Sequence, residues 1–349
     1  MHAAMWYAPR DIRWEQRPDP TIQLPTDAVV RVVAACVCGS DLWTYRGARP
    51  PADPHPIGHE FVGVVEAVGS GVTTLAAGDF VISPFSISDG TCVHCRQGIT
   101  TSCAQVQWYG GKDRDGRTLD GGQGRYVRVP LADGTLVATP GLPGTAQIPA
   151  LLALSDVLLT GHHAAVSAGV GPGRTVAVVG DGAVGLCAVL AAVRLGAERV
   201  IAFSSHADRQ DVATGFGASD TITERGDDGA AVLRDLLAGQ GADAVLECVG
   251  TKESMAQAFA SVRPGGRIGY VGVPLGGAEL PIRKMFADNI AVAGGVAPVR
   301  PYLPELLADV LAGTLDASPV FDLQLPMDQV AEAYAAMDER RSIKTLLWP

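Results

Sequence analysis

The residues most capable of chemistry open on Gly58-His59-Glu60. They stand at the head of a β-branched run, Phe61-Val62-Gly63-Val64-Val65, that reads as a buried strand. An imidazole and a carboxylate entering an apolar strand are costly to bury unless a charged group takes them up. Upstream, Cys38-Gly39-Ser40-Asp41 offers a soft thiolate with a hydroxyl two residues later, and Asp156 lies far downstream in Leu154-Ser155-Asp156-Val157. A thiolate, an imidazole and a carboxylate suit a catalytic zinc with a fourth position left for water or substrate. Taken singly, His59 also reads as a satisfied core histidine and Cys38 as an inert buried thiol. The set as a whole points to metal.

Positioning such a set takes a sizeable core, and 349 residues are enough for two domains. Apolar residues at 47% and charged residues at 18% exclude a disordered chain. The formal charge is −10 and no block of Lys and Arg occurs, so neither nucleic acid nor an anionic membrane surface is the expected partner. Met1 to Tyr7 lacks a basic region leading into an apolar run, so no signal peptide is read there. Residues 148–170 are apolar in tone, but Asp156, His162 and His163 interrupt them and argue against a transmembrane helix. Seven Cys, three of them clustered, fit thiols serving metal in a reducing cytoplasm better than a disulfide framework.

Residues 1–147 are rich in short strand-like runs punctuated by Gly and Pro, among them 28–35, 61–68, 79–82 and 125–129. They read as an all-β, barrel-like module with long loops. From about Pro149 strand-like and helix-like segments alternate, which argues for a parallel sheet covered by helices. Residues 226–229 (Gly-Asp-Asp-Gly) read as a short surface turn. From about Ala297 the chain carries helix-like stretches at 304–311 and 327–337 and a strand-like end at 342–347. The expected organisation is therefore a discontinuous first domain, 1–147 with 298–349, and a second domain, 148–297.

In the second domain the apolar strand Thr175-Val176-Ala177-Val178-Val179 runs into Gly180-Asp181-Gly182-Ala183-Val184-Gly185 and then an amphipathic helix. A lone G-x-G-x-x-G is weak, but strand before and helix after is the context that supports a dinucleotide fingerprint. The first Gly makes the tight turn, the second lets backbone approach a pyrophosphate, and the third brings the helix onto the sheet. The next strand, Arg199 to Phe203, ends in Ser204-Ser205-His206-Ala207-Asp208-Arg209 rather than in Asp or Glu. Small hydroxyls, a His and an Arg accommodate a 2′-phosphate, which favours NADP(H) over NAD(H). Against this, Asp208 is close, and Ser204 can serve as a helix cap. Later strands end near Val249, Val271 and Val273, which should line the nicotinamide half of the site.

These motifs together resemble the zinc-dependent medium-chain dehydrogenase/reductase, or alcohol dehydrogenase-like, family. The likeness extends over essentially the whole chain, through Cys38-Gly39-Ser40-Asp41, Gly58-His59-Glu60, a Cys-rich loop, Asp156 with Thr160-Gly161, and the Gly180 fingerprint. It implies an α/β protein, a GroES-like β-barrel catalytic domain plus a Rossmann doubly wound domain, with the active site in the cleft between them. It further implies that Cys38, His59 and Asp156 ligate the catalytic zinc and that Glu60 is able to ligate transiently. Asp41 would orient the zinc-bound His59, and Ser40 would hydrogen-bond the substrate oxygen and pass its proton. Thr160 would lie under the nicotinamide, and Lys344 would bind the pyrophosphate.

Two positions depart from the family. The His that completes the proton relay three residues after the Ser is here Trp43, and an indole cannot accept a proton. The structural-zinc lobe has Asp89, Cys92, Cys95 and Cys103 where four Cys are usual, with intervening spacings of two, two and seven residues. A carboxylate oxygen is an acceptable zinc ligand, so an Asp-Cys₃ site is expected, against the alternative of a metal-free three-Cys remnant. Cys36 and Cys187 read as packing residues, as do His162 and His163. Phe85, Trp108, Tyr109 and Val273 are pocket candidates.

The resemblance thus implies a zinc-dependent, NADP(H)-linked alcohol dehydrogenase or carbonyl reductase acting on a small alcohol, aldehyde or ketone, as a homodimer or homotetramer. Trp43 keeps open an NADPH-dependent reductase of a conjugated C=C or iminium bond. A non-catalytic NADPH-binding protein is the remaining alternative.

Overall fold

The computed structural model describes residues 1–48, 53–274, 277 and 279–349. They form two units, Met1–Asp156 with Pro298–Pro349, and Val157–Ala297.

The first unit is built on a seven-stranded sheet whose order runs Val137–Ala138, Phe80–Ser83, Glu60–Val68, Ala28–Cys36, Thr345–Trp348, Leu323–Pro326, with Tyr126–Val129 also on Ala28–Cys36. Val, Ala and Phe dominate the two central strands, and most of them are buried, as β-branched residues on a packed sheet face should be. Their core includes Val30, Val32, Phe61, Val65, Val81 and Val127, with Tyr334 and Met337 of the returning segment packed against it. The helix Ile148–Ala153 packs on both central strands, which is why the junction falls after Asp156 rather than after residue 147. That helix belongs to the first unit.

The second unit carries a six-stranded, all-parallel sheet in the order Asp220–Ile222, Arg199–Phe203, Thr175–Val179, Ala242–Glu247, Val262–Tyr270, Ala291–Gly294. Counted along the chain this is 3-2-1-4-5-6, the doubly wound order, with its reversal point between Thr175–Val179 and Ala242–Glu247. The inner strands read as near-continuous apolar runs because helices cover both faces.

One local expectation is overturned: residues 226–229 are no surface turn but the first turn of the helix Gly226–Leu236. Asp227 and Asp228 at its N-terminus complement the helix dipole, and that contribution, with the apolar face behind it, outweighs the poor helix propensity of the two glycines. Among the described residues no single helix is long and apolar enough to cross a membrane.

Candidate catalytic metal site and dinucleotide site

Strand register brings the candidate ligands together. Cys36 at the end of Ala28–Cys36 pairs with Glu60 at the start of Glu60–Val68, so Cys38, just past one strand, meets His59, just before the other. The last strand joins the same end: Leu346 pairs with Cys36, and the Val37 amide donates to the Thr345 carbonyl. That register sets Lys344 level with Cys38. Gly58 turns the chain into His59 with φ near +90°, and a Cβ there would lie 2.5 Å from the Gln123 side chain, so only glycine suits the position.

The Asp156 carboxylate Oδ2 is 3.7 Å from the Cys38 Sγ and 3.5 Å from the His59 Nε2. Donors on a tetrahedral zinc sit about 2.0–2.3 Å from the ion and hence roughly 3.3–3.8 Å from one another. The spacing fits. Ligand atoms of Cys38, His59, Glu60 and Asp156 all lie within 4.8 Å of one another. The electrostatics agree with a cation among them. Burial, then the Glu60 and Asp156 carboxylates, push the Cys38 thiol up to about 11. Burial opposes protonation of His59, yet Asp41 and Cys38 outweigh it and hold the imidazole well above its usual range. The site collects negative charge and asks for a positive centre.

The surrounding bonds fix each ligand. Asp41 Oδ1 lies 3.3 Å from His59 Nδ1, leaving Nε2 for the ion, while Oδ2 accepts the Cys38 amide and the Tyr334 hydroxyl. Tyr334 also meets Gln123, whose amide donates to the Cys36 carbonyl. Ser40 stands at the N-cap position of the short helix Asp41–Tyr45, but its hydroxyl donates to Cys38 Sγ at 3.1 Å instead of capping the helix. Glu60 is fully buried between the Lys344 ammonium, 2.7 Å away, and the Cys36 thiol, which donates to it at 3.2 Å. Cys36 is therefore more than a packing residue.

Lys344 departs from the expected pyrophosphate contact. It is 1% exposed, and its amine donates to Glu60 and to the Val37 carbonyl, a consequence of the strand register that lays it against Cys38. Tyr109 is mostly buried, its hydroxyl on Ser83 and its ring edge-on to Phe61, and with Trp108 it lines a cavity beside His59, as expected of a pocket residue. Phe85 reaches one candidate ligand, edge-on to His59 with ring centroids 6.2 Å apart, and Trp108 stacks on it. The cavity, of about 290 Å³, touches His59 and Asp41 but includes neither Ser40 nor Cys38.

The ligand atoms of Asp89, Cys92, Cys95 and Cys103 also lie within 4.8 Å of one another. Asp89 Oδ1 accepts the amides of Thr91 and Cys92, and backbone amides donate to the sulfurs of Cys92 and Cys103. Burial, then hydrogen bonds to the Cys92 and Cys103 thiols and to Asp89, push Cys95 up to about 12. Four convergent donors of this type fit a closed zinc site.

In the second unit Gly180 adopts φ near +117°, and a Cβ on Gly185 would lie 1.9 Å from the Gly180 carbonyl. The helix Ala183–Arg194 can therefore start directly against the turn, with Gly182, Ala183 and Val184 presenting its first amides. Val249 and Val273 are exposed at the C-terminal ends of neighbouring strands and Val271 is half-buried there. Thr160 sits on the helix Val157–Ser167, next to Gly161, which packs against Cys187 and Ala188. His162 and His163 follow on that helix and belong to no metal-ligand group among the described residues. At the end of Arg199–Phe203, Ser204, His206 and Arg209 all bond Asp181, and Ser205 accepts from Arg225. Asp181 and Arg225 escaped the sequence reading, although one lies inside the fingerprint and the other just past the third strand.

Comparison with known proteins decides the kinship. Residues 24–140 match the alcohol dehydrogenase GroES-like domain and residues 183–312 the zinc-binding dehydrogenase domain. The chain is 33% identical, over 99% of its length and 81% of the relative's, to zinc-type alcohol dehydrogenase B of Aspergillus flavus. It belongs to the zinc-dependent alcohol dehydrogenase family. A probable zinc-binding alcohol dehydrogenase of Mycobacterium tuberculosis is 36% identical over 94% of this chain and 83% of its own. Among solved structures, the alcohol dehydrogenase TADH of Thermus sp. ATN1 superposes with a TM-score of 0.91 at 32% identity, covering 100% of this chain and 99% of that one. Family membership makes the chain an oxidoreductase of the medium-chain class, with a GroES-like domain and a Rossmann domain.

Proposed function

We propose that the protein is an NADP(H)-linked alcohol dehydrogenase or carbonyl reductase with zinc held by Cys38, His59 and Asp156. The observation that carries this is the spacing of the three donor atoms, which matches a tetrahedral ion. Zinc held by these residues would supply Lewis acidity toward a substrate oxygen, and a dinucleotide at the Gly180 loop would supply hydride-transfer chemistry. The chain's own groups do the rest. Asp41 keeps His59 in the tautomer that presents Nε2. Ser40, whose hydroxyl now rests on Cys38 Sγ, turns to hold the proton of the substrate oxygen. Phe85 and Trp108 supply an apolar wall beside the imidazole. Glu60, neutralised by Lys344, stays behind the ligands as a carboxylate that could exchange onto the metal as a fourth ligand.

NADP(H) is favoured because Arg209 and Arg225 flank the two serines at the end of Arg199–Phe203, with no carboxylate of that strand end to repel a phosphate. The substrate is a small alcohol, aldehyde or ketone. Relatives whose names span alcohol dehydrogenase, sorbitol dehydrogenase and formaldehyde dismutase support that class. A homodimer or homotetramer in the cytoplasm completes the reading.

Trp43 favours a second reading, reduction of a conjugated C=C or iminium bond, because its indole only donates and cannot relay a proton. A substrate panel run with (4-²H)-labelled NADPH and NADH separates the two. Deuterium on a carbinol carbon is the expected result; deuterium only on a saturated C–C or C–N carbon rejects the first reading for the second.

A further inference from the structure

We infer that Asp181 is a specificity-determining residue of the adenosine-ribose end, a carboxylate delivered from the glycine loop to the strand end that lacks its own. The inference rests on the dinucleotide reading above.

Register explains the delivery. Thr175–Val179 and Arg199–Phe203 are parallel neighbours with Val179 opposite Phe203, which sets Gly180 level with Ser204 and Asp181 level with Ser205. The Asp181 side chain can then reach across one strand spacing. Its Oδ2 accepts the Ser204 hydroxyl at 3.0 Å and meets His206 Nδ1 at 3.0 Å, and its Oδ1 accepts Arg209 at 3.2 Å. Arg209 also donates to the Asp181 carbonyl. Both the Asp181 and Arg209 side chains are only 12% exposed, so the cluster is built in rather than a mobile surface contact. Burial raises the Asp181 carboxyl, but the His206 bond and Arg209 outweigh it and hold the group below its usual range. It stands ionised at neutral pH.

A carboxylate has about four lone-pair sites. The protein uses three here, which leaves room on Oδ1 for one ribose hydroxyl. A carboxylate accepts a bond from a hydroxyl and repels a phosphate. Across the site, Arg225 donates to Ser205 at 2.8 Å and draws a 2′-phosphate the other way. The end of Arg199–Phe203 is thus a balanced site. Arg225 and Arg209 admit NADP(H), while Asp181 retains NAD(H) and moderates the preference.

The test is calorimetric titration of the full-length protein with NADPH and with NADH at pH 8, where the 2′-phosphate is doubly ionised. Asp181→Asn keeps the shape and removes the charge, while one of the two acceptor oxygens, that of Arg209 or that of Ser204 and His206, becomes an N–H donor. Asp181→Ser is the second variant, and thermal unfolding confirms that each is folded. The NADPH-to-NADH affinity ratio is expected to rise about tenfold in both variants, from the loss of one screened charge near the phosphate. An unmoved ratio, with both affinities reduced alike, makes Asp181 a mere scaffold for Arg209 and overturns the inference. A ratio that shifts toward NADH overturns it too, since Asp181 would then serve phosphate binding. Wild-type protein that binds neither dinucleotide overturns the dinucleotide reading itself, an outcome distinct from normal binding with an unmoved ratio.

Discussion

Glu60 and Lys344, 284 residues apart in sequence, form a fully buried ion pair, Oε1 to Nζ 2.7 Å, directly behind His59. The carboxylate is 0% exposed and the ammonium side chain 1%. Removing one partner from such a pair leaves an uncompensated charge in low dielectric, which costs about 3–5 kcal/mol. Lys344→Met should therefore lower the unfolding free energy by that amount, read from urea denaturation. The double variant Glu60→Gln/Lys344→Met should recover most of the loss. A single variant as stable as wild type would mean that Glu60 is neutral in the native state.

The second ligand group makes a metal prediction. Asp89→Ala removes a donor and the acceptor of two amides, those of Thr91 and Cys92. Metal analysis of the purified variant should find the catalytic ion alone, with a lowered melting temperature. Unchanged zinc content relative to wild type would reject Asp89 as a ligand and leave the three cysteines to hold the ion with water.

A pH prediction follows from Asp133, which accepts the amides and hydroxyls of both Thr73 and Thr74. Burial pushes its carboxyl up, but the Thr74 and Thr73 bonds prevail and depress it. A depressed carboxyl stabilises the fold above its unfolded pKa of about 3.9, and the contribution disappears as pH falls through the lower folded value. Asp133→Asn should cost about 1–2 kcal/mol near pH 7, a figure reduced for partial exposure. The gap between variant and wild type should narrow below about pH 4. A gap that is constant from pH 7 to pH 3 would show that the bonds do not depend on the charge.

Much of this architecture is legible in the chain because local chemistry and global fold agree. Thr175–Val179 and Arg199–Phe203 have their observed bounds in the sequence, since a buried parallel strand is a continuous apolar run with glycine or polar ends. Cys38, His59 and Asp156 could be picked out by type; strand register then brings Cys38 to His59, and the helix Ile148–Ala153, packed on the same strands, carries Asp156 to them. What stayed hidden depends on long-range pairing. The pyrophosphate role of Lys344 was implied by the family resemblance alone, and nothing local shows that its strand lies against Cys36. Tyr334 and Gln123, which complete the bonds around Asp41, carry no motif at all. Helix Gly226–Leu236 was masked by two glycines whose cost is met by packing. Asp181 was visible but read only as the variable position of a fingerprint.

The central claim is that one ion sits among three donors separated widely in sequence. Anomalous diffraction collected on either side of the zinc absorption edge from crystals of the untreated protein tests it most directly. The account predicts an edge-dependent peak about 2.0–2.3 Å from Cys38 Sγ, His59 Nε2 and an Asp156 oxygen. A protein that turns over substrate with no such peak among these three residues would contradict it.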